Sequence, residues 1–165
     1  MKALGIPADY GAGGHLTLQI EATELVPVAA DPDGREIRLE PGAAAAWKKM
    51  RDAASDEGII LVALSGFRSI ERQVDIIQQK LLTGETIDSI LRVVAAPGYS
   101  EHHTGRAIDI GDPVGPPLTE GFARTPAFRW LQRRAGDFGF RLSYPQGNPH
   151  GIAYEPWHWC FQHRS

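Results

Sequence analysis

Residues 98–110 read GYSEHHTGRAIDI, a glycine-bounded turn followed by a short alternation of apolar and polar residues. The turn carries two adjacent histidines, His102 and His103, and Asp109 follows the first of them after seven residues. A catalytic zinc ion typically has three protein ligands drawn from His, Asp, Glu and Cys, with one position left for water. The stretch therefore predicts part of a metal site, with an exposed polar loop as the alternative.

The alternation over residues 106–110 predicts a strand whose two isoleucines share one face and whose aspartate lies on the other. If the isoleucines are buried in the core, Asp109 faces the same side as the histidine turn. Neighbouring side chains in extended backbone point apart, so one of His102 and His103 is a ligand candidate and the other is not. The periodicity does not decide between them.

A second candidate lies in YEPWHWCF at residues 154–161, where Glu155 stands three residues before His158. Pro156 restricts the backbone between the two, which would hold an acid and a histidine in a fixed relation. Such a spacing also arises by chance. The alternative is a half-buried histidine that only packs beside the flanking tryptophans.

The rest of the chain predicts a mixture of helices and strands. The turn sequence DPDG separates two strand-like runs and indicates a hairpin. Strands are predicted at residues 25–30, 36–40, 59–66, 106–111, 140–144 and 154–161, and helices at residues 41–58, 68–84, 86–97 and 125–139. This order favours an α+β class with a mostly antiparallel sheet flanked by helices.

Composition narrows the function classes. The chain has 165 residues, of which 42% are hydrophobic, so it is long and apolar enough for one domain with a core. A net charge of −3 argues against nucleic-acid binding, which favours a basic surface. Cys160 is the single cysteine, which excludes an internal disulfide and a cysteine-based zinc site.

No apolar run reaches the roughly eighteen residues that a membrane-spanning helix needs, so we expect no membrane span. The N-terminus carries no apolar signal region. We therefore expect a cytoplasmic protein, or a periplasmic or otherwise extracytoplasmic one if a leader was removed. We also expect a monomer.

Three motifs together resemble those of the VanY-type zinc D-alanyl-D-alanine carboxypeptidases, in the family's order over roughly residues 60–161. SEHHTGRAID resembles the signature S-x-H-x-x-G-x-A-x-D, and EPWHW resembles the element E-x-x-H. SGFRS followed by Gln73 resembles S-G-[YF]-R-S…Q, and residues 144–159 resemble the loop and strand that end the domain. The resemblance implies a hedgehog/D,D-peptidase-like fold, although the first forty residues carry none of its motifs. We predict a catalytic domain over residues 25–165, preceded by a segment, 1–24, of unassigned role.

The resemblance also implies the metal and its ligands. One zinc ion would be held by His102, Asp109 and His158, and His103 falls on a variable position of the signature. Zinc is favoured over other first-row ions by this type of ligand set.

The remaining site residues follow from the same resemblance. Glu155 would be the catalytic carboxylate that takes a proton from water and returns it to the leaving amine. Arg68 would be the cationic group that stabilises the developing negative charge, and its alternative is a surface pair with Glu71. Ser100 and Gln73 are candidate hydrogen-bond donors to substrate; a solvated helix position is the alternative for Gln73.

The implied substrate is a peptidoglycan stem peptide or its precursor, cut at the terminal D-Ala-D-Ala bond. The same fold can also act as an endopeptidase at the L-Ala-D-Glu bond or as a D-Ala-D-Ala dipeptidase. A domain that binds metal or wall peptide without cutting is the alternative from another class. The full set of expected catalytic residues argues against that last reading.

Overall fold

Short antiparallel strands and separate helices make up the chain, which confirms the α+β class. The structure is a computed structural model that describes residues 2–12 and 15–162. The strands are β1 (Val26–Ala30), β2 (Glu36–Leu39), β3 (Val62–Ser65), β4 (Ala107–Gly111), β5 (Phe140–Leu142) and β6 (His158–Phe161). The helices are α1 (Pro41–Asp56), α2 (Ile70–Leu82), α3 (Ile87–Ile90) and α4 (Pro126–Arg134).

The predicted hairpin is formed by β1 and β2, which pair antiparallel. The main sheet has the strand order β3-β4-β6-β5, and every neighbouring pair in it is antiparallel. Its register places Asp109 of β4 directly opposite His158 of β6. Residues far apart in sequence therefore meet on one face of the sheet.

The main core lies on the opposite face of β4. Ile108 and Ile110 are fully buried there against Trp47 and Met50 of α1 and Leu131 of α4. Burial of each such side chain contributes roughly 1.5–3 kcal/mol. Because the isoleucines occupy this core, Asp109 is turned toward the other face of the sheet.

Local signals in the sequence agree with the buried side of α1 and with the start of α2. Trp47, Met50 and Ala54 are buried along one side of α1, as their spacing predicts. Ser69 caps α2, since its hydroxyl accepts a hydrogen bond from the Arg72 N–H at 3.0 Å. This cap sets the start of the helix that follows the SGFRS motif.

The predicted helix over residues 86–97 is wrong beyond Ile90, where α3 ends. Val93 and Val94 are β-branched and lose side-chain freedom in a helix. Pro97 disfavours helical backbone in the residue before it. The chain instead passes through turns toward the 98–110 stretch.

Two further elements are shorter than predicted. The helix over residues 125–139 divides into α4 and a 3-10 helix, Ala135–Phe138. The predicted strand over residues 154–161 begins only at His158, because the residues from Glu155 onward form a turn.

The N-terminal segment packs on the same body. Leu4 is buried in a second apolar cluster with Ile77 of α2. Ala22 donates its N–H to the carbonyl of His103 at 2.8 Å. Across residues 2–12 and 15–162, none of the helices combines the length and apolarity needed to cross a bilayer.

Candidate active site

His102, Asp109 and His158 converge at the edge of a cleft, and each is buried. Asp109 and His158 are cross-strand partners, which places their side chains side by side. His102 Nε2 lies 3.4 Å from Asp109 Oδ1, and His158 Nδ1 lies 3.2 Å from the same oxygen. One potential ligand atom from each residue lies within 4.8 Å of the others.

In each histidine, the hydrogen bond made by the ring nitrogen that points away from Asp109 shows which nitrogen can bind a metal. His102 Nδ1–H donates to the carbonyl of Gly66 at 2.7 Å, because a carbonyl can only accept. His158 Nε2–H donates to Glu101 Oε2 at 2.9 Å. The remaining nitrogens, His102 Nε2 and His158 Nδ1, face Asp109. Two imidazole nitrogens and one carboxylate oxygen form a donor set that fits zinc.

The protonation of the metal-free cluster follows from its burial and mutual contacts. Burial opposes the charge on Asp109, but the two histidines outweigh it and lower the pKa of Asp109. Burial opposes protonation of His158, yet its bonds to Asp109 and Glu101 raise its pKa to about 10. Burial lowers the pKa of His102 despite Asp109. Asp109 is therefore ionised in the metal-free cluster, and His158 carries a proton that a bound cation would replace.

Glu155 is placed by a turn that ends at His158. The His158 N–H donates to the Glu155 carbonyl at 3.1 Å, and the Glu155 N–H donates to the carbonyl of Tyr144 at 3.0 Å. Pro156, with its fixed φ and missing N–H, suits the second position of such a turn. Glu155 Oε2 thereby lies 3.8 Å from His158 Nδ1. Burial raises the pKa of Glu155 to about 7, which suits a general base at neutral pH.

Arg68 lines the same cleft, held by its neighbours. Its Nη1 donates to Gln73 Oε1 at 3.0 Å, and its backbone N–H donates to the carbonyl of His102 at 3.1 Å. Burial lowers the pKa of Arg68, while Asp109 and Glu155 oppose this effect. An arginine retains its charge in such a place.

Gln73 is buried, and its amide nitrogen donates to the carbonyl of Ala95 at 2.7 Å. The solvated position considered for it is therefore wrong. Its amide oxygen is the acceptor for Arg68, so Gln73 orients the arginine. Ser100 is also buried and lines the cleft, and its hydroxyl accepts the N–H of His102 at 3.3 Å.

The histidine pair is asymmetric in the structure. His103 Nδ1–H donates to the carbonyl of Arg68 at 2.7 Å, and its Nε2 accepts the N–H of Gly98 at 3.1 Å. Both ring nitrogens of His103 are thus bound to backbone, whereas His102 points into the cluster. His103 ties the segment that carries Arg68 to the turn that carries His102.

The cleft beside the cluster has a volume of about 200 Å³. The cluster, Arg68 and Glu155 lie on its polar side. An apolar side is formed by Ile76, Val93, Val94, Leu118 and Ile152. Leu118 has a φ of 55°, which is strained for a residue with a side chain. A small, one-sidedly apolar cleft suits a short peptide with aliphatic side chains.

Sequence reasoning missed two residues that the structure brings to the site. Glu101 occupies an unspecified position of the S-x-H signature, and its carboxylate contacts His158. Tyr144 packs on His158 with ring centroids 4.8 Å apart and lines the cleft. Burial raises the pKa of Tyr144, which keeps the phenol as a proton donor. Its place at the start of the YPQGNPHG loop was the available signal.

The fold and the cluster together define a protein of the D,D-peptidase fold class. The VanY family, described as D-alanyl-D-alanine carboxypeptidase, matches residues 36–164. The chain therefore belongs to the VanY family, which confirms the resemblance drawn from its motifs.

Relatives and solved structures agree. The Bacillus subtilis protein YodJ is 44% identical over 129 residues, which cover 75% of this chain and 45% of YodJ. The LdcB LD-carboxypeptidase superposes with a TM-score of 0.75 at 37% identity, covering 87% of this chain and 70% of that one. A mutant of the D,D-pentapeptidase VanY in complex with Zn(II) superposes with a TM-score of 0.65 at 28% identity, covering 94% of this chain and 82% of that one. The chain spans about half the length of the curated relatives it matches.

Proposed function

We propose that this chain is a zinc carboxypeptidase domain that hydrolyses the terminal D-Ala-D-Ala bond of peptidoglycan stem peptides. One observation carries the proposal. His102 Nε2, Asp109 Oδ1 and His158 Nδ1 converge in a cleft where Glu155 lies 3.8 Å from one of these atoms without being part of the trio. This is the arrangement of a metal site with a separate base beside it.

His102, Asp109 and His158 would hold the zinc ion. When bound there, zinc supplies Lewis acidity that makes water a stronger nucleophile and the scissile carbonyl a better electrophile. The other site residues act directly on protons and charge. Glu155 accepts a proton from the attacking water and delivers it to the departing amine nitrogen.

Arg68 contributes a fixed positive charge beside the cleft. It stabilises the negative charge that develops on the carbonyl oxygen during attack. Gln73 fixes the guanidinium in this orientation through a 3.0 Å hydrogen bond, so no energy is spent on reorienting it. Ser100 lines the cleft and would donate its hydroxyl proton to the peptide, while its oxygen accepts the His102 N–H.

Product analysis tests the proposal. The purified protein is loaded with zinc and incubated with a stem pentapeptide ending in D-Ala-D-Ala, and the products are measured by mass spectrometry. We expect release of one D-Ala, loss of the activity with a chelator, and recovery with zinc. Intact pentapeptide after long incubation with folded, zinc-loaded protein would falsify it.

A second candidate is LD-carboxypeptidase activity, in which the residue before the terminal D-Ala has the L configuration. The likeness to the LdcB LD-carboxypeptidase favours it, since identity and TM-score are higher there than with VanY. A tetrapeptide substrate in the same assay separates the two. Cleavage at L-Ala-D-Glu or release of free D-Ala from the dipeptide would instead indicate an endopeptidase or a dipeptidase.

A further inference from the structure

Glu101 is a partly buried carboxylate that lies behind the metal cluster and does not line the cleft. Its side chain is 15% exposed. Its Oε2 accepts the Nε2–H of His158 at 2.9 Å and also the hydroxyl proton of Ser143. Its Oε1 lies 3.3 Å from Nη2 of Arg141. Three residues from two neighbouring segments therefore fix the carboxylate in one place.

The contact with His158 has a direct consequence for metal binding. An ionised carboxylate can only accept a hydrogen bond, so Glu101 keeps one ring proton of His158 on Nε2. Nδ1, which lies 3.2 Å from Asp109 Oδ1, is then the ring nitrogen that binds a cation in place of a proton. With the proton on Nδ1 instead, His158 could not be a ligand through that atom.

The two histidine ligands are supported differently. His102 donates its outward proton to a neutral acceptor, the carbonyl of Gly66. His158 donates to a full negative charge, which makes its imidazole a stronger electron donor toward a cation. The negative charge of Glu101 also adds to that of Asp109 near the metal position. Both effects strengthen cation binding.

We propose that Glu101 is a positioning residue of the metal site, which holds His158 in the tautomer and orientation that bind zinc and which strengthens zinc affinity. The inference rests on the proposed zinc site. The side chains of Ser143 and Arg141 act one step further out, because they hold Glu101; the Ser143 backbone N–H also donates to the carbonyl of His158 at 3.5 Å. The role is independent of which peptide bond the enzyme cuts.

The test uses the variant Glu101→Gln, which keeps the size of the side chain and removes its charge. Zinc dissociation constants are measured by competition with a chromophoric chelator, and the visible spectrum of the Co(II)-loaded protein reports the ligand field. We expect about 10- to 100-fold weaker zinc binding and an altered Co(II) spectrum. The matched control is Glu36→Gln, an exposed carboxylate on β2, which should change neither.

Ser143→Ala is the second variant, since it leaves the carboxylate in place and removes one of its tethers. Its zinc affinity should fall several-fold, less than in Glu101→Gln, and it carries the test alone if Glu101→Gln does not fold. If folded Glu101→Gln has the zinc affinity and the Co(II) spectrum of the wild type, the role of Glu101 is overturned. If Glu101→Gln does not fold, an unchanged zinc affinity of Ser143→Ala overturns it. Wild-type protein that binds no zinc overturns the zinc site itself, and with it this inference.

Discussion

Replacing Glu155 by Gln should have two opposite effects on the protein, loss of turnover and gain of stability. The side chain lies in the cleft, 12% exposed, and burial raises its pKa from 4.5 to about 7. The folded protein thus favours the protonated acid. The amide introduced by Glu155→Gln cannot accept the proton, but it is neutral at every pH and avoids the cost of an ionised group.

The magnitude follows from the pKa of Glu155. An increase from 4.5 to about 7 corresponds to roughly 3 kcal/mol, at about 1.4 kcal/mol per pKa unit. The sign follows from linkage. A raised pKa makes the fold bind the proton more tightly than the unfolded chain, so stability is lost as pH rises from 4.5 through 7. The variant should gain up to roughly 3 kcal/mol at pH 8 and less than about 1 kcal/mol at pH 5.

Urea denaturation of the metal-free protein at both pH values measures the stability effect. Turnover of the zinc-loaded variant should fall by about 10²- to 10⁴-fold, as expected for removal of a general base. Zinc affinity should stay near that of the wild type, because Glu155 is not among the converging ligand atoms. The exposed Glu36→Gln serves as the matched control for all three measurements.

Three results would refute the reasoning. Equal stability changes at pH 5 and pH 8 would mean that Glu155 does not titrate where its burial places it. Turnover within a few-fold of the wild type would mean that another group moves the proton. Loss of zinc from the variant would make Glu155 a ligand rather than a base.

Further changes test the other parts of the site. His102→Ala should abolish zinc binding in equilibrium dialysis. His103→Ala should keep zinc but lower the melting temperature, because two hydrogen bonds to backbone are lost. The reverse result would make His103 the ligand. Gly66→Ala should destabilise the fold by about 1–3 kcal/mol in thermal melts, since its Cβ would meet the Arg38 carbonyl oxygen at 2.5 Å, and wild-type melting would contradict this packing. Arg68→Lys should lower kcat by about 10²- to 10³-fold with nearly unchanged zinc affinity, because an ammonium lacks the planar set of N–H donors of a guanidinium. Unchanged kcat would mean that Arg68 does not take part in the reaction.

Much of the fold could be predicted from local pattern. The stripe of Trp47, Met50 and Ala54 predicts the buried side of α1, and Ser69 predicts the start of α2. These signals are local, since a cap or an apolar stripe depends on residues a few positions apart. The end of α3 and the start of β6 are set by turns, which the periodicity of apolar residues does not predict.

The sequence predicted the residues of the active site but not their distances from one another. Residue types and motif order indicated His102, Asp109, His158 and Glu155 as a set, but spacing along the chain carries no distance between β4 and β6. Only the antiparallel register brings Asp109 opposite His158. Only the turn that starts at Glu155 sets its 3.8 Å separation from the His158 nitrogen.

The sequence by itself determined the class of fold, the identity of the motif residues and the choice of chemistry, because these depend on residue type and local order. The tertiary structure decided which ring nitrogens face the cluster, how both nitrogens of His103 bond to backbone, and that Glu101 lies behind His158. Those facts depend on hydrogen bonds that the fold makes between side chains and backbone, most of them across segments separated by tens of residues. No local pattern in GYSEHHTGRAIDI encodes the segments that its side chains meet.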